Sequence, residues 1–151
     1  MKPLLVLLGT FVTSLLAIRL FGGEFNFSLA GRIAMSVMLI FTSIGHFVFV
    51  QGMTMMIPDF VPFKRQIVYL TGVFEIAAAI GLLTPKFQNL TAWLLLIFFV
   101  LILPANIQAA IKKIDYQKGT ANGPGLNYLW FRVPLQIFFI AWIYFFAIRS
   151  A

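Results

Sequence analysis

A single carboxylate, that of Glu75, lies near the middle of the apolar stretch Tyr69–Leu83. A charged side chain at the centre of a bilayer costs about 2.5–3.5 kcal/mol on insertion scales, so we expect it to face the protein interior and to have a partner. Arg132 is the first candidate, because its always-charged, fork-shaped guanidinium suits a desolvated carboxylate. Arg32 competes for the same role from the opposite side of the membrane.

Further polar residues are expected to converge around this carboxylate. His46 lies near the end of the second predicted crossing and Asn106 near the end of the fourth. Arg132 and Gln136 share a helix face, because they are four residues apart in the fifth. The sequence therefore predicts an intramembrane polar cluster that could bind a ligand, made of Arg32, His46, Glu75, Asn106, Arg132 and Gln136.

Structural roles compete with ligand binding at several of these positions. His46 would serve equally well in packing or in a hydrogen bond between helices, as polar groups in membrane bundles often do. Asn106 would repair the helix beside Pro104, which removes a backbone donor and predicts a kink. For Glu75 with an arginine, a functional role is the better interpretation, because an ion pair is an unusual way to join membrane helices.

The sequence contains no motif for self-contained catalysis, so we predict no catalytic residues and no metal ligands. No serine–histidine–aspartate arrangement, phosphate loop, metal spacing or pair of carboxylates stands out. With no cysteine and one histidine, the chain cannot supply an iron–sulfur cluster or a bis-histidine haem site. No cofactor is identified from the sequence. Any redox role would need a diffusible organic cofactor, such as a quinone, or a partner subunit.

The composition indicates an integral membrane protein. The chain is 62% hydrophobic and 10% charged, with a mean hydropathy of +1.00, values that exclude an ordinary soluble domain. Its net charge of +7 comes from basic residues scattered between apolar segments, which is typical of loops near anionic lipid rather than of nucleic-acid binding. We predict an all-α helical membrane bundle that forms a single domain over residues 1–151.

Apolar stretches and their breaks predict five crossings. The helices are expected at about residues 3–21, 31–50, 66–83, 89–111 and 128–148. Ser28 is a plausible N-cap of the second helix. Residues 51–65 form a connector, and Pro58 and Pro62 forbid a regular helix that runs through it. Its Met and Phe side chains are too apolar for a free loop, so we expect it to lie in the membrane interface or fold back onto the bundle.

Basic residues predict the orientation of the chain. With five crossings, one side carries seven Lys and Arg and the other four, which places the N-terminus in the cytoplasm. The seven are Lys2, Lys64, Arg65, Lys112, Lys113, Lys118 and Arg132, and the four are Arg19, Arg32, Lys86 and Arg149.

Four stretches in order resemble the DoxX-like membrane family: Gly31–Phe47, Met56–Leu83, Leu103–Ala110 and Arg132–Trp142. The resemblance implies a four-helix membrane core in the bacterial inner (plasma) membrane, to which the first helix is an addition. The family's polar positions map onto the six residues of the predicted cluster. The family takes its name from a small subunit of an archaeal quinone-linked oxidoreductase, and distant relatives resemble cargo receptors and a receptor-assembly chaperone.

Three functions follow from these observations. The first is binding of a quinone or lipid-like ligand at the intramembrane polar site, as part of a redox complex; the chain would then be at most a subunit of an oxidoreductase. The second is an assembly factor or chaperone for other membrane proteins, suggested by small-residue faces and the Met-rich connector. The third, proton or small-solute transport, lacks an evident inverted repeat. The expected partners are the bilayer, a membrane protein or a second copy of the chain.

Overall fold

The computed structural model describes residues 2–149, which are almost entirely helical. The α-helices are α1 (Lys2–Gly22), α2 (Phe27–Val48), α3 (Val50–Met56), α4 (Lys64–Leu83), α5 (Gln88–Leu101), α6 (Leu103–Ile111) and α7 (Leu129–Ile143). A 3₁₀ turn at Gly125–Tyr128 precedes α7, and a π-helix at Tyr144–Ile148 follows it.

Five helical spans within residues 2–149 are long and apolar enough to cross a membrane: Lys2–Gly22, Phe27–Val48, Lys64–Leu83, Gln88–Ile111 and Gly125–Ile148. The prediction of an all-α bundle with five apolar crossings is confirmed. These spans indicate a small polytopic membrane protein in contact with the lipid bilayer. The starts of α1, α4 and α7 and the ends of α2 and α6 share one end of the bundle, which we call the N-terminal end.

Four of the spans enclose a common core. Along the chain α2 packs on α4, α4 on α5 and α5 on α7, and the π-helix after α7 returns to α2. Aliphatic and aromatic side chains from all four fill the centre, among them Met35, Met38, Leu39, Ala78, Leu82, Leu95, Phe98, Phe139 and Ile143. Helix α5 thus packs against both α4 and α7.

Helix α1 packs on the outside of this four-helix core. Leu7 is fully buried in the core cluster, and the Phe11 ring lies edge-on to Trp142 at 5.0 Å. The rest of α1 is largely exposed, including Leu5, Val12 and Leu16. The first helix is therefore anchored to α2 and α7 by one face and presents the other to its surroundings.

The second helix begins at Phe27, before the predicted start, and its cap is not the residue we predicted. The side chain of Asn26 accepts a hydrogen bond from the Leu29 amide at 2.9 Å, so Asn26 rather than Ser28 is the N-cap. Ser28 lies inside the helix, where its hydroxyl donates to the Phe146 carbonyl at 3.1 Å. Ser28 thus joins the start of α2 to the end of the last span.

The connector between α2 and α4 contains the short helix α3, which ends at Met56, before Pro58. Helix α3 folds back onto the bundle, because Gly52 lies directly against the backbone of Tyr116 and leaves no room for a β-carbon. Asp59 then bridges Lys64 at 2.9 Å and Lys112 at 2.6 Å. One carboxylate in the connector therefore ties the start of α4 to the end of α6.

Candidate functional site

Glu75 is buried on α4 and pairs with His46 on α2. The Glu75 Oε1 and His46 Nε2 atoms are 3.4 Å apart, and the two side chains are 6% and 17% exposed. The other carboxylate oxygen lies 2.9 Å from the hydroxyl of Thr42, one turn before His46 on the same helix face. The buried carboxylate therefore has its partners on the neighbouring helix α2.

The opposite side of the His46 ring fixes its orientation. Nδ1 lies 2.9 Å from the Thr71 hydroxyl and 3.2 Å from the Val68 carbonyl oxygen. A carbonyl oxygen can only accept a hydrogen bond. The Thr71 hydroxyl donates to that same carbonyl at 2.8 Å, so its oxygen can accept from Nδ1. These contacts therefore assign a proton to Nδ1. Nε2 is the ring nitrogen that faces the Glu75 carboxyl group.

The pair places an imidazole and a carboxyl group side by side, with Nε2 and Oε1 3.4 Å apart. A histidine partner lowers the cost of placing a carboxylate inside hydrocarbon. Histidine and glutamate both exchange protons readily, so the pair is chemically able to give or take a proton at this position. Among the contacts of the described residues, this is the arrangement most suited to proton chemistry.

Gly72 makes room for the imidazole. A β-carbon at this position would lie 2.8 Å from His46 Cβ and 3.1 Å from Phe47 Cε2. Helices α2 and α4 therefore approach closely at the level of the pair, as small residues permit in membrane bundles. The Phe47 ring stacks on Tyr69 at 6.0 Å, so aromatic side chains flank the position where the helices touch.

The predicted pairing of Glu75 with Arg132 is wrong. Within residues 2–149 the carboxylate forms no ion pair with an arginine; its ionic partner is His46. Helix α5 lies between α4 and α7, and its Phe98 ring contacts Phe74 at 4.8 Å.

Asn106 and Gln136 form a second buried polar pair. The Asn106 amide donates to the Gln136 side-chain oxygen at 3.2 Å, and the Gln136 amide donates to the backbone carbonyl of Phe99. The accepting carbonyl lies just before the break between α5 and α6, where Pro104 supplies no backbone donor. The missing donor of Pro104 would have bonded the Val100 carbonyl, so repair of the kink by Asn106 stays a prediction. The Asn106–Gln136 pair joins α6 to α7 and, through the Phe99 carbonyl, to α5.

Arg132 lies at the start of α7, beside the loop that joins α6 to α7. Its guanidinium carbon is 5.8 Å from the Tyr116 ring centroid and 5.3 Å from that of Tyr128, a cation–π geometry. Arg132 and Asn106 line the same small cavity at the N-terminal end of the bundle, with a volume of about 20 Å³. The structure thus brings these two predicted residues to one cavity.

Arg32 belongs to a separate polar group at the other end of the bundle. Its guanidinium donates to the side-chain oxygen of Gln88, whose amide donates to the Ala147 carbonyl at 3.0 Å. At about 1.5 Å per residue, Arg32 and His46 are roughly 21 Å apart along α2. The six predicted residues therefore occupy distinct places rather than one cluster: the His46–Glu75 pair, the Asn106–Gln136 pair with the cavity at Arg132, and Arg32 with Gln88.

Sequence reasoning missed several partners of these residues. Thr42 and Thr71 contact the His46–Glu75 pair, and each stands four residues before one of its members. That spacing puts each threonine on the same helix face as the pair, so it was a usable signal. Gln88 had a weaker signal, as a polar residue at the start of an apolar helix. Tyr116 and Tyr128 had none, because their meeting at Arg132 depends on how the loop folds.

Comparison with known proteins assigns the family of the chain. A family model described as a domain of unknown function, DUF8561, matches residues 35–147. No curated protein and no solved structure matches the chain. The matched range begins within α2 and includes both members of the His46–Glu75 pair. Because it spans more than half of the 151 residues, the chain belongs to the DUF8561 family.

Proposed function

We propose that this membrane protein binds a quinone, or a lipid-like molecule with a similar head group, at the His46–Glu75 pair, as part of a redox complex. The observation that carries the proposal is the pair itself, which sets an imidazole 3.4 Å from a buried carboxylate inside an apolar bundle. The imidazole is the more exposed member, so it is the member that a ligand entering from the bilayer would meet first.

The residues around the pair suit such a head group. A quinone carbonyl oxygen accepts hydrogen bonds, and when bound it would supply chemistry that takes up electrons together with protons. On the protein side, His46 would donate to that oxygen, and Glu75 would keep the imidazole charged or return a proton to it. Thr42 and Thr71 hold the two side chains in position. The Phe47 and Tyr69 rings offer an apolar wall beside them.

Electrons would have to come from a partner subunit, because this chain has no cysteine and one histidine with which to hold a redox metal. The resemblance of four stretches to the DoxX-like family supports this part of the proposal, since the family takes its name from a subunit of a quinone-linked oxidoreductase. The proposal includes a single membrane domain over residues 1–151 in a bacterial plasma membrane, with the N-terminus in the cytoplasm.

The binding test uses a short-chain quinone added to the purified protein in detergent. A ligand that binds only the folded state raises the unfolding temperature as its concentration increases. We expect this rise in the wild-type protein and its loss in Glu75→Gln and His46→Ala. Removing one charged hydrogen-bond partner is worth about 1.5–3 kcal/mol, or roughly 10- to 150-fold in affinity.

Gln88→Ala is the matched control, because Gln88 is equally buried and hydrogen-bonded but lies at the other end of the bundle. It is expected to lower the unfolding temperature without quinone and to keep the rise on adding quinone. A wild-type response that survives in both pair variants, or that disappears in Gln88→Ala as well, would overturn the proposed site.

A second candidate function, an assembly factor for other membrane proteins, is favoured by the outward face of α1. Only Leu7 of this helix is buried, whereas Val12 and Leu16 are more than half exposed. A photo-crosslinker at Leu16 in native membranes should then capture a specific protein that the same crosslinker at Leu94, on α5, does not. Capture of lipid alone, or of the chain itself alone, would exclude this function.

A further inference from the structure

The N-terminal end of the bundle carries a second feature, independent of the His46–Glu75 pair. Arg132 is half-buried, and within residues 2–149 no carboxylate pairs with its guanidinium and no oxygen accepts a hydrogen bond from it. Its contacts there are the faces of Tyr116 and Tyr128. A guanidinium has five N–H donors in a planar fork that matches the oxygens of a phosphate, and the tyrosine rings leave those donors at its edge unused.

A lysine stands beside the same cavity. The Lys113 side chain lies along Gly125, where an added β-carbon would be 3.4 Å from Lys113 Cγ. Gly125 and Arg132 both line the cavity, and no acidic residue is among the described residues that line it. Its volume of about 20 Å³ admits one oxygen-sized atom. The rim of the cavity is therefore positively charged and the space behind it fits a single oxygen of a larger group.

An apolar groove runs beside this cavity. It has a volume of about 420 Å³ and lies between α1 and α7, with walls that include Leu4, Leu8, Trp130, Phe131 and Phe138. The Phe131 ring of the groove and the Tyr128 ring of the cavity have centroids 6.1 Å apart. Along the first turns of α7, a cationic site with a small cavity thus lies next to a hydrocarbon-lined groove.

We propose that this juxtaposition is a binding site for one anionic phospholipid of the bilayer leaflet at the N-terminal end. The phosphate would bind to Arg132 and Lys113, with one oxygen in the cavity beside Asn106. An acyl chain would lie in the groove between α1 and α7. Charge selects this occupant, because two cations without a described carboxylate favour an anionic head group over a zwitterionic one. Trp130 is 85% exposed at the groove, as expected of an aromatic residue at head-group level.

Native mass spectrometry of the full chain in detergent, with added phosphatidylglycerol or phosphatidylcholine, tests the site. We expect the wild-type protein to retain phosphatidylglycerol in preference to phosphatidylcholine. Arg132→Gln should reduce retention of phosphatidylglycerol by about tenfold or more, the value of one charge-assisted hydrogen bond. Arg65→Gln is the matched control, because Arg65 also lies over a tyrosine ring, that of Tyr69 at 5.9 Å, but outside the cavity.

A second pair of variants tests the groove without removing a charge. Leu8→Phe would fill the groove and is expected to lower phospholipid retention, whereas Leu16→Phe, on the exposed face of the same helix, should not. Equal loss in Arg132→Gln and Arg65→Gln would mean that only general surface charge is sensed, and the proposal would be wrong. Displacement of the lipid by millimolar inorganic phosphate would also overturn it, because the site would then take a free anion.

Discussion

Among single residues, the pairing of Glu75 with His46 is what allows a carboxylate to lie inside this bundle. The imidazole lies against the carboxylate, and Thr42 and Thr71 fill further hydrogen-bonding positions around the pair. An isolated ionised carboxylate would be far more costly in the same surroundings. The free energy of the folded state therefore depends on keeping α2 and α4 close enough for the two side chains to meet.

Gly72 controls that approach, and its substitution gives the first prediction. Gly72→Ala should destabilise the bundle by about 1–3 kcal/mol, because the added β-carbon would lie 2.8 Å from His46 Cβ and would force the helices apart. Thermal unfolding in detergent measures the change. Gly9→Ala is the matched control, since no atom lies within 4 Å of a β-carbon there, and helix propensity predicts a neutral or slightly stabilising effect. Equal effects in the two variants would contradict this account of Gly72.

The residues of the pair were predictable, but their partnership was not. An apolar segment with one carboxylate made Glu75 conspicuous, and a lone histidine in an apolar helix did the same for His46. By charge and shape alone, the guanidinium of Arg132 is a stronger electrostatic partner for the Glu75 carboxylate than the imidazole of His46. The packing of α5 between α4 and α7 decided the outcome, and the order of helices around a core is not encoded in the depth of each residue.

On the scale of helices and connectors, the segment between α2 and α4 is held by one exposed carboxylate. Hydrogen bonds from Lys112 and then Lys64 lower the pKa of Asp59 from 3.8 to about 2. A carboxylate whose pKa is lower in the folded state stabilises that state above its ordinary pKa, here 3.8. That contribution is lost as the pH falls from 3.8 towards about 2.

The second prediction follows from the lowered pKa of Asp59. Asp59→Asn should lower the unfolding temperature at neutral pH and should show a smaller further drop than the wild type as the pH falls from 3.8 to 2. Glu24→Gln, which alters an exposed acid at the other end of the bundle, should keep the wild-type dependence over this range. The same acid sensitivity in Asp59→Asn and the wild type would show that the two lysines do not act through Asp59.

The ends of helices were predictable only where proline or glycine marked them. Pro58 limits α3, and Pro104 marks the break between α5 and α6, as their missing backbone donors require. The start of α2 was misplaced because Asn26 and Ser28 are both good capping residues. Ser28 instead contacts the Phe146 carbonyl, and that contact joins residues far apart in the sequence.

For the whole molecule, the length of the apolar stretches predicted most of the fold. Five apolar stretches of membrane-spanning length predicted the five spans, because backbone groups in hydrocarbon must be satisfied within a helix. The attachment of α1 through Leu7 and Phe11 was not predictable from the same pattern. Neither were the cavity at Arg132 and the groove beside it, which depend on loop and helix packing.

The third prediction concerns the orientation of the molecule. The chain has no cysteine, so single cysteines report on accessibility without background. Glu24→Cys, between α1 and α2, should react with a membrane-impermeant thiol reagent in intact cells. Gln117→Cys, between α6 and α7, should react only after permeabilisation, because the side with seven basic residues is expected in the cytoplasm. The reverse pattern of labelling would place the N-terminus outside.

The most direct measurement is the identification of small molecules that co-purify with the protein in mild detergent, by mass spectrometry of an organic extract. We predict a quinone in near-equal proportion to the wild-type chain and its absence from Glu75→Gln and from an unrelated membrane protein. Phospholipid held at Arg132 should be unchanged in Glu75→Gln, which separates the two sites. A wild-type extract without quinone, or one whose quinone survives in Glu75→Gln, would contradict the assignment of the His46–Glu75 pair as the ligand site.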